Sequence, residues 1–199
     1  RSRLDTVRVA SLDLTKGKGR GFMLKIVLGV VVLAVVVLLG LAAARPNAFV
    51  VKRTATINAP PEKLEPMVSD FHQWGAWSPY ETMDPNMKRT YGGPANGVGA
   101  TYSWVGNDKV GTGGMEIQKV TPGREVVFDL HFIKPFKANN TGRFTFEPEG
   151  AATKVTWAME GSYPFIGKLM GMFFDMDKMV GKDFENGLAK MKAAAEKQA

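Results

Sequence analysis

From Ile26 to Ala44 the chain runs through apolar residues without one polar side chain. At the helical rise such a stretch spans about 28 Å, close to the hydrocarbon thickness of a bilayer. The pattern predicts a transmembrane helix over 24–44, inside an anchor segment at 23–45. The rival is a cleaved signal peptide, because Ala42–Ala44 supplies the small residues of a cleavage site. The apolar core exceeds the usual length of a signal h-region, which favours the anchor. Residues 1–22 show no sustained periodicity and are expected to be a disordered or non-native extension.

Past Pro46 the pattern changes to short alternating runs separated by turn residues. Ala48–Ala59 alternates as a first strand. In "PPEKLEPMVSDF" Pro60 or Pro61 is placed to open a helix, with Glu62 in its first turn and Pro66 to keep it short or kinked. Six more strands follow near 87–92, 99–105, 110–120, 124–133, 138–147 and 152–161. The turn signals between them are Gly92–Gly93, Asn96–Gly97, Gly106–Asn107–Asp108, Pro122–Gly123, Asn139–Asn140 and Glu149–Gly150. Met176, Val180, Phe184 and Leu188 then recur at i, i+4, and Met191 extends the stripe of a long C-terminal helix. The remaining aromatic cluster, "DFHQWGAWSPY" at 70–80, sits between helix and meander. Trp74 and Trp77 lie three apart and share one face of any helical turn. The expectation is a fold corner whose indole N–H groups need partners, with Pro79 ending the turn and His72, Trp77 and Tyr80 as a candidate cavity entrance.

The order strand, short helix, antiparallel strands, long helix predicts an α+β fold. A curved sheet of six to seven strands covers its apolar face with the last helix, leaving a cavity between them. Period-two alternation assigns Tyr102, Trp104, Met115, Phe128, Leu130, Phe132, Phe144, Phe146, Trp157 and Met159 to that face, opposite Met176, Val180 and Phe184 of the helix. These thirteen side chains are the predicted ligand-binding set. Methionine suits surfaces that fit variable apolar shapes, and Met170, Met172 and Met179 also lie in the covering region.

Charge narrows the function. Of the net +7, residues 1–45 hold eight Lys/Arg against Asp5 and Asp13, a net +6. Residues 46–199 are nearly balanced at +1, without the basic face that phosphate contacts need, so no nucleic-acid partner is expected. There is no cysteine, which excludes disulfides, thiolate zinc and a cysteine nucleophile. No His or carboxylate spacing suggests a metal, "GPANGVG" and "GTGG" lie in hairpins rather than before a helix, and no cofactor is expected. His131 and Asp129 fall on the outward parity. No catalytic residue is assigned, although an enzyme would have to bring His131, Asp129, His72 or Glu160 into the pocket. Lys and Arg before the apolar segment place the N-terminus in the cytoplasm and the 46–199 domain outside, a bias that weakens if the native chain begins at Met23.

The stretches "INAPPEKL", "SDFHQWGAWSPYETMDPNMKRTYGG", "GVGATYSWVGN", "GTGGMEI", "FIKPF", "TKVTWAMEG" and "MVGKDFENGLAKMK" together resemble the SRPBCC (START-like) superfamily, and within it the bacterial polyketide cyclase/dehydrase-like group. The resemblance covers 46–199 and implies a helix-grip fold with a deep apolar cavity. Function is less constrained, because this superfold hosts lipid carriers and cyclases alike. The expected role is membrane-tethered binding of a hydrophobic small molecule or lipid. The alternatives are a cyclase or dehydratase acting on such a ligand, and an envelope protein-interaction or stress-related role without one.

Overall fold

The computed structural model describes residues 16–44, 46–162, 165–170 and 175–197. It divides into two units, 1–45 and 46–199. In the first, α1 spans Lys16–Ala44. Its Gly21–Ala44 stretch is long and apolar enough to cross a membrane. Almost every side chain of that stretch is exposed and, Lys25 apart, it carries no polar stripe.

The second unit is one sheet and the helices that cover it. The strands are β1 (Ala48–Ile57), β2 (Lys88–Gly92), β3 (Thr101–Val105), β4 (Thr112–Thr121), β5 (Glu125–Lys134), β6 (Ala138–Glu149) and β7 (Ala152–Ser162). They form an antiparallel sheet in the order β1-β7-β6-β5-β4-β3-β2. Six consecutive strands form a meander, and β1 joins it beside the last. Helix α2 (Pro61–Ser69) opens on Pro61, whose missing N–H costs nothing at a first turn, and contains Pro66. Two 3-10 turns follow, Phe71–Ala76 and Pro79–Thr82. After β7 come α3 (Phe165–Met170) and α4 (Met176–Glu196).

Alternation decides which face is covered. Val126, Phe128, Phe144, Phe146, Val155, Trp157, Met159 and Ile117 are buried, while Glu116, Asp129, His131 and Glu160 are exposed. Of the predicted helical stripe, Phe184, Leu188 and Met191 are buried and Val180 is half-buried. The side chain of Met176, like those of Met170 and Met172, lies outside the described residues. Met179 is turned outward and 58% exposed. It is therefore not part of the covering surface, contrary to the expectation that counted it there, because it lies one place off the buried stripe.

Two local expectations need correction. Asn139 and Asn140 do not form a turn: both are in β6, and the chain reverses at 135–137 instead. Pro135 has no N–H for the ladder, so pairing breaks there rather than at the asparagines. Nor does Pro79 close the aromatic corner. It opens the second 3-10 turn, the first having ended at Ala76.

Candidate functional site

Register aligns the concave face into rows that cross the strands. One row is Val126, Phe144, Trp157 and Arg53; the next is Ile117, Phe128, Gly142, Met159 and Val51; the third is Tyr102, Met115, Leu130, Asn140, Gly161 and Phe49. Trp104 and Phe132 lie beyond it, both opposite Gly113.

The first two rows are filled by the chain itself. Trp157 stacks on Phe184 of α4 with centroids 3.9 Å apart and planes 9° from parallel. Phe144 stacks on the same indole at 5.0 Å, and Trp77 meets it edge-on at 5.4 Å. Trp74 stands edge-on to Phe128 at 5.6 Å. The corner's polar atoms are satisfied: Nε1 of Trp74 donates to the Val68 carbonyl at 2.9 Å, and that of Trp77 to Met67 at 2.8 Å. Both acceptors close α2, so the two indoles tie the corner to that helix while packing under the sheet.

The predicted lining set therefore divides. Phe128, Phe144, Phe146, Trp157 and Phe184 pack with this corner, and Tyr102, Trp104, Met115 and Met159 are also buried. Leu130, Phe132 and Val180 are half-buried and present surface. Of the three entrance candidates, Trp77 and Tyr80 both pack against Trp157, while His72 pairs with other residues. His72 is exposed, stacked on Tyr91 at 4.2 Å with Nδ1 2.9 Å from Asp70; Trp77 is completely buried; Tyr80 packs edge-on to Trp157. A separate groove of about 470 Å³ runs between Ala76, Ser78 and Thr82 and the far end of α4 at Lys190 and Ala194.

Four polar features on or beside the concave face were not foreseen. Asn140 shares the inward parity of Phe144, and its Oδ1 is buried without a hydrogen-bond partner, the one such side-chain atom among the described residues. Its Nδ2 has only the Met159 sulfur at 3.8 Å. Gly161 makes the niche, since a Cβ there would collide with Oδ1. Glu81 is a second feature: it accepts from the Tyr102 hydroxyl at 2.6 Å and from Arg89 Nε at 2.5 Å. Burial, then this hydrogen bond, pushes the Tyr102 phenol well above its ordinary range.

Third, Arg53 is the charged member of the inward parity of β1. It reaches across to α4, meeting Asp177 at 3.0 Å and Glu185 at 2.7 Å. Hydrogen bonds to these two carboxylates raise its pKa further, and Arg53 in turn holds Asp177 below the ordinary carboxylate value. Fourth, Asp183 on α4 is half-buried, and burial raises its carboxyl. Tyr80 is raised by burial and by the charge of Asp183. The inward parity of Asn140 and Arg53 was visible in the sequence; their partners were not.

Among the described residues no cluster of His, Asp or Glu could hold a metal. His131, Asp129 and Glu160 stand on the exposed side of the sheet, whereas Tyr102 with Glu81, and Tyr80 near Asp183, are the titratable side chains described above on or beside the concave face.

The family model described as polyketide cyclase / dehydrase and lipid transport matches residues 48–196. No curated protein matches the chain. Among solved structures, protein CV1439 from Chromobacterium violaceum is 13% identical with a TM-score of 0.55, covering 76% of this chain and 99% of that one. The Aha1 dimer from Colwellia psychrerythraea is 18% identical with a TM-score of 0.53, covering 74% and 96%. TTHA0849 from Thermus thermophilus is 18% identical with a TM-score of 0.54, covering 76% and 99%. At these identities the likeness is one of fold, the helix-grip arrangement of an antiparallel sheet and a long C-terminal helix.

Proposed function

The chain belongs to the polyketide cyclase / dehydrase and lipid transport family of the SRPBCC superfamily, and on that premise we propose that residues 46–199 bind a hydrophobic small molecule or lipid on the open part of the concave face, with α1 tethering them to a bilayer. The observation that carries this reading is the third row. Leu130 and, beyond it, Phe132 present apolar surface beside a buried amide oxygen that no group among the described residues satisfies. Unpaired buried acceptors are rare and costly, and a ligand hydroxyl or N–H is one way to complete them. The ligand would then have an apolar body and one donor, with affinity drawn mainly from apolar area at about 25 cal/mol per Å² before ordering costs. The test is native mass spectrometry of detergent-extracted chain, followed by extraction of whatever co-purifies. A bound amphiphile that a Leu130→Trp substitution displaces is the expected result. A chain that carries no ligand and takes up no apolar probe defeats the reading.

A second reading, catalysis on the bound molecule, is favoured by one observation. Asp183 is half-buried and burial raises its carboxyl, which brings it nearer the operating pH than an exposed carboxylate would be. Turnover of the co-purified molecule that disappears in Asp183→Asn while binding persists would establish it.

A further inference from the structure

The end of the sheet at which β1 begins is also the end at which the β5–β6 hairpin turns. Ala48 pairs with Ser162, Gly161 with Asn140, and Ala138 with Phe132, so the first residue of β1 and the 134–137 tip share one edge of the fold. Two to three strand spacings separate them, about 10–15 Å. Only Arg45, Pro46 and Asn47 stand between Ala44 and Ala48, and four Cα steps reach at most about 15 Å. A three-residue connector thus leads from α1 into this edge of the sheet.

The tip has the composition such a location favours. Phe136 is 58% exposed and Ile133 49% exposed, while Val105, beside them through the Thr112–Lys134 pair, is 56% exposed. Lys134 and Lys137 flank Phe136, and neither has an ion-pair partner among the described residues. On the adjacent β3–β4 loop Asp108 is offset by Lys109; on β7 Glu160 is exposed but lies inside the ladder rather than at the tip. Water gives such apolar side chains no favourable contact, whereas an interface accepts the ring and lets lysine ammoniums reach anionic headgroups.

We propose that the β5–β6 tip is a membrane-docking element, in which Phe136 and Ile133 enter the interfacial layer of the bilayer that α1 crosses while Lys134 and Lys137 contact anionic lipid headgroups. The inference rests on the proposed tether and extends it. Because the tether makes docking intramolecular, a contact too weak to recruit a soluble protein suffices. Docking also places the open surface at Phe132 and Leu130 within a few residues of the lipid, so an amphiphile can pass between bilayer and concave face without crossing much water.

The absence of cysteine allows single-site labelling of the full chain. An environment-sensitive fluorophore is placed on Asn139→Cys, beside the tip, or on Ala151→Cys, at the opposite end of β6. Each chain is reconstituted in phosphatidylcholine vesicles, with and without phosphatidylglycerol, containing a headgroup-level nitroxide lipid. The label at 139 is expected to be quenched, more strongly with phosphatidylglycerol, and the label at 151 to be spared. Ile133→Ser with Phe136→Ser should lower the docking equilibrium about tenfold or more, and Lys134→Glu with Lys137→Glu should abolish the phosphatidylglycerol dependence. Unfolding curves of both double variants should match the parent's, since all four side chains are exposed. Release of the chain by alkaline carbonate would overturn the tether itself. An integral chain whose 139 label is quenched no more than its 151 label overturns the docking. Shielding at 139 that grows with chain density and ignores the nitroxide lipid assigns the tip to a second copy and overturns it equally.

Discussion

A Cβ on Gly181 would collide with Nη2 of Arg53, so α4 passes beneath the guanidinium only because this position has no side chain. Arg53 is an adaptable neighbour and can swing aside, at the cost of its contacts with Asp177 and Glu185. Gly181→Ala therefore sets a helix-propensity gain of about 1 kcal/mol against the loss of solvent-screened ion pairs, which contribute little. The net change should be a small gain. Repeated on an Arg53→Met background, the same substitution should stabilise by nearly the full propensity term. Urea titration of the four chains of that cycle reads the coupling.

Gly187, on the same helix, should behave oppositely. A Cβ there meets the Trp157 ring at 2.7 Å and Pro79 at 3.1 Å, and both are fixed in the core. Overpacking of this kind costs about 1–3 kcal/mol, outweighing propensity, so Gly187→Ala should lower the urea midpoint.

Trp77 tests the corner. Trp77→Ala empties a completely buried site and should cost about 3–5 kcal/mol. Trp77→Phe keeps most of the ring contacts but strands the Met67 carbonyl that the indole satisfies, which should cost about 1–3 kcal/mol. The difference between the two, from equilibrium unfolding, separates packing from hydrogen bonding.

Asn140→Leu should move stability and binding in opposite directions. Removing an unsatisfied buried acceptor relieves about 1–3 kcal/mol of desolvation, so the empty domain gains stability. If a ligand donor completes Oδ1, affinity for a long-chain alcohol falls about tenfold while affinity for the alkane of equal length holds. Calorimetric titration with both probes checks it; equal losses for both would remove the amide from the site.

Acid sensitivity has a defined sign. Hydrogen bonds from Arg53 hold Asp177 low, and hydrogen bonds from Lys119 and then Arg143 hold Glu125 low. Folded values below the unfolded ones, about 3.9 and 4.3, mean that their stabilisation is present above about pH 4 and lost as pH falls through the folded values. Asp177→Asn should flatten that limb. Asp183 has the other sign: burial raises it, so its favourable contribution is complete below about pH 3.9 and is lost as pH rises through its folded value. Asp183→Asn should therefore raise the urea midpoint at neutral pH.

The strands and the covering helix could be inferred from sequence because period two and period 3.6 are local properties. Phe128, Phe144 and Trp157 declare their face through immediate neighbours, and Phe184, Leu188 and Met191 do the same along α4. What escaped depends on distant partners. Arg53 has the inward parity of β1, but nothing near it announces Asp177 or Glu185, more than a hundred residues away. Asn140 was obscured because an asparagine pair signals a turn more often than a strand. Alternation finds the apolar face, but only packing separates rings that meet Trp74, Trp77 and Phe184 from the half-buried Leu130 and Phe132.

The Trp157–Phe184 stack joins the sheet to α4 at the helix's middle, with Leu188 and Met191 buried behind it, whereas the first turn at 177–179 is exposed. Amide protons around 188–195 should consequently exchange only when the whole domain unfolds, and those around 179–181 through a smaller opening. The grip is then graded along the helix: permanent at its C-terminal half, and loosest at the exposed first turn.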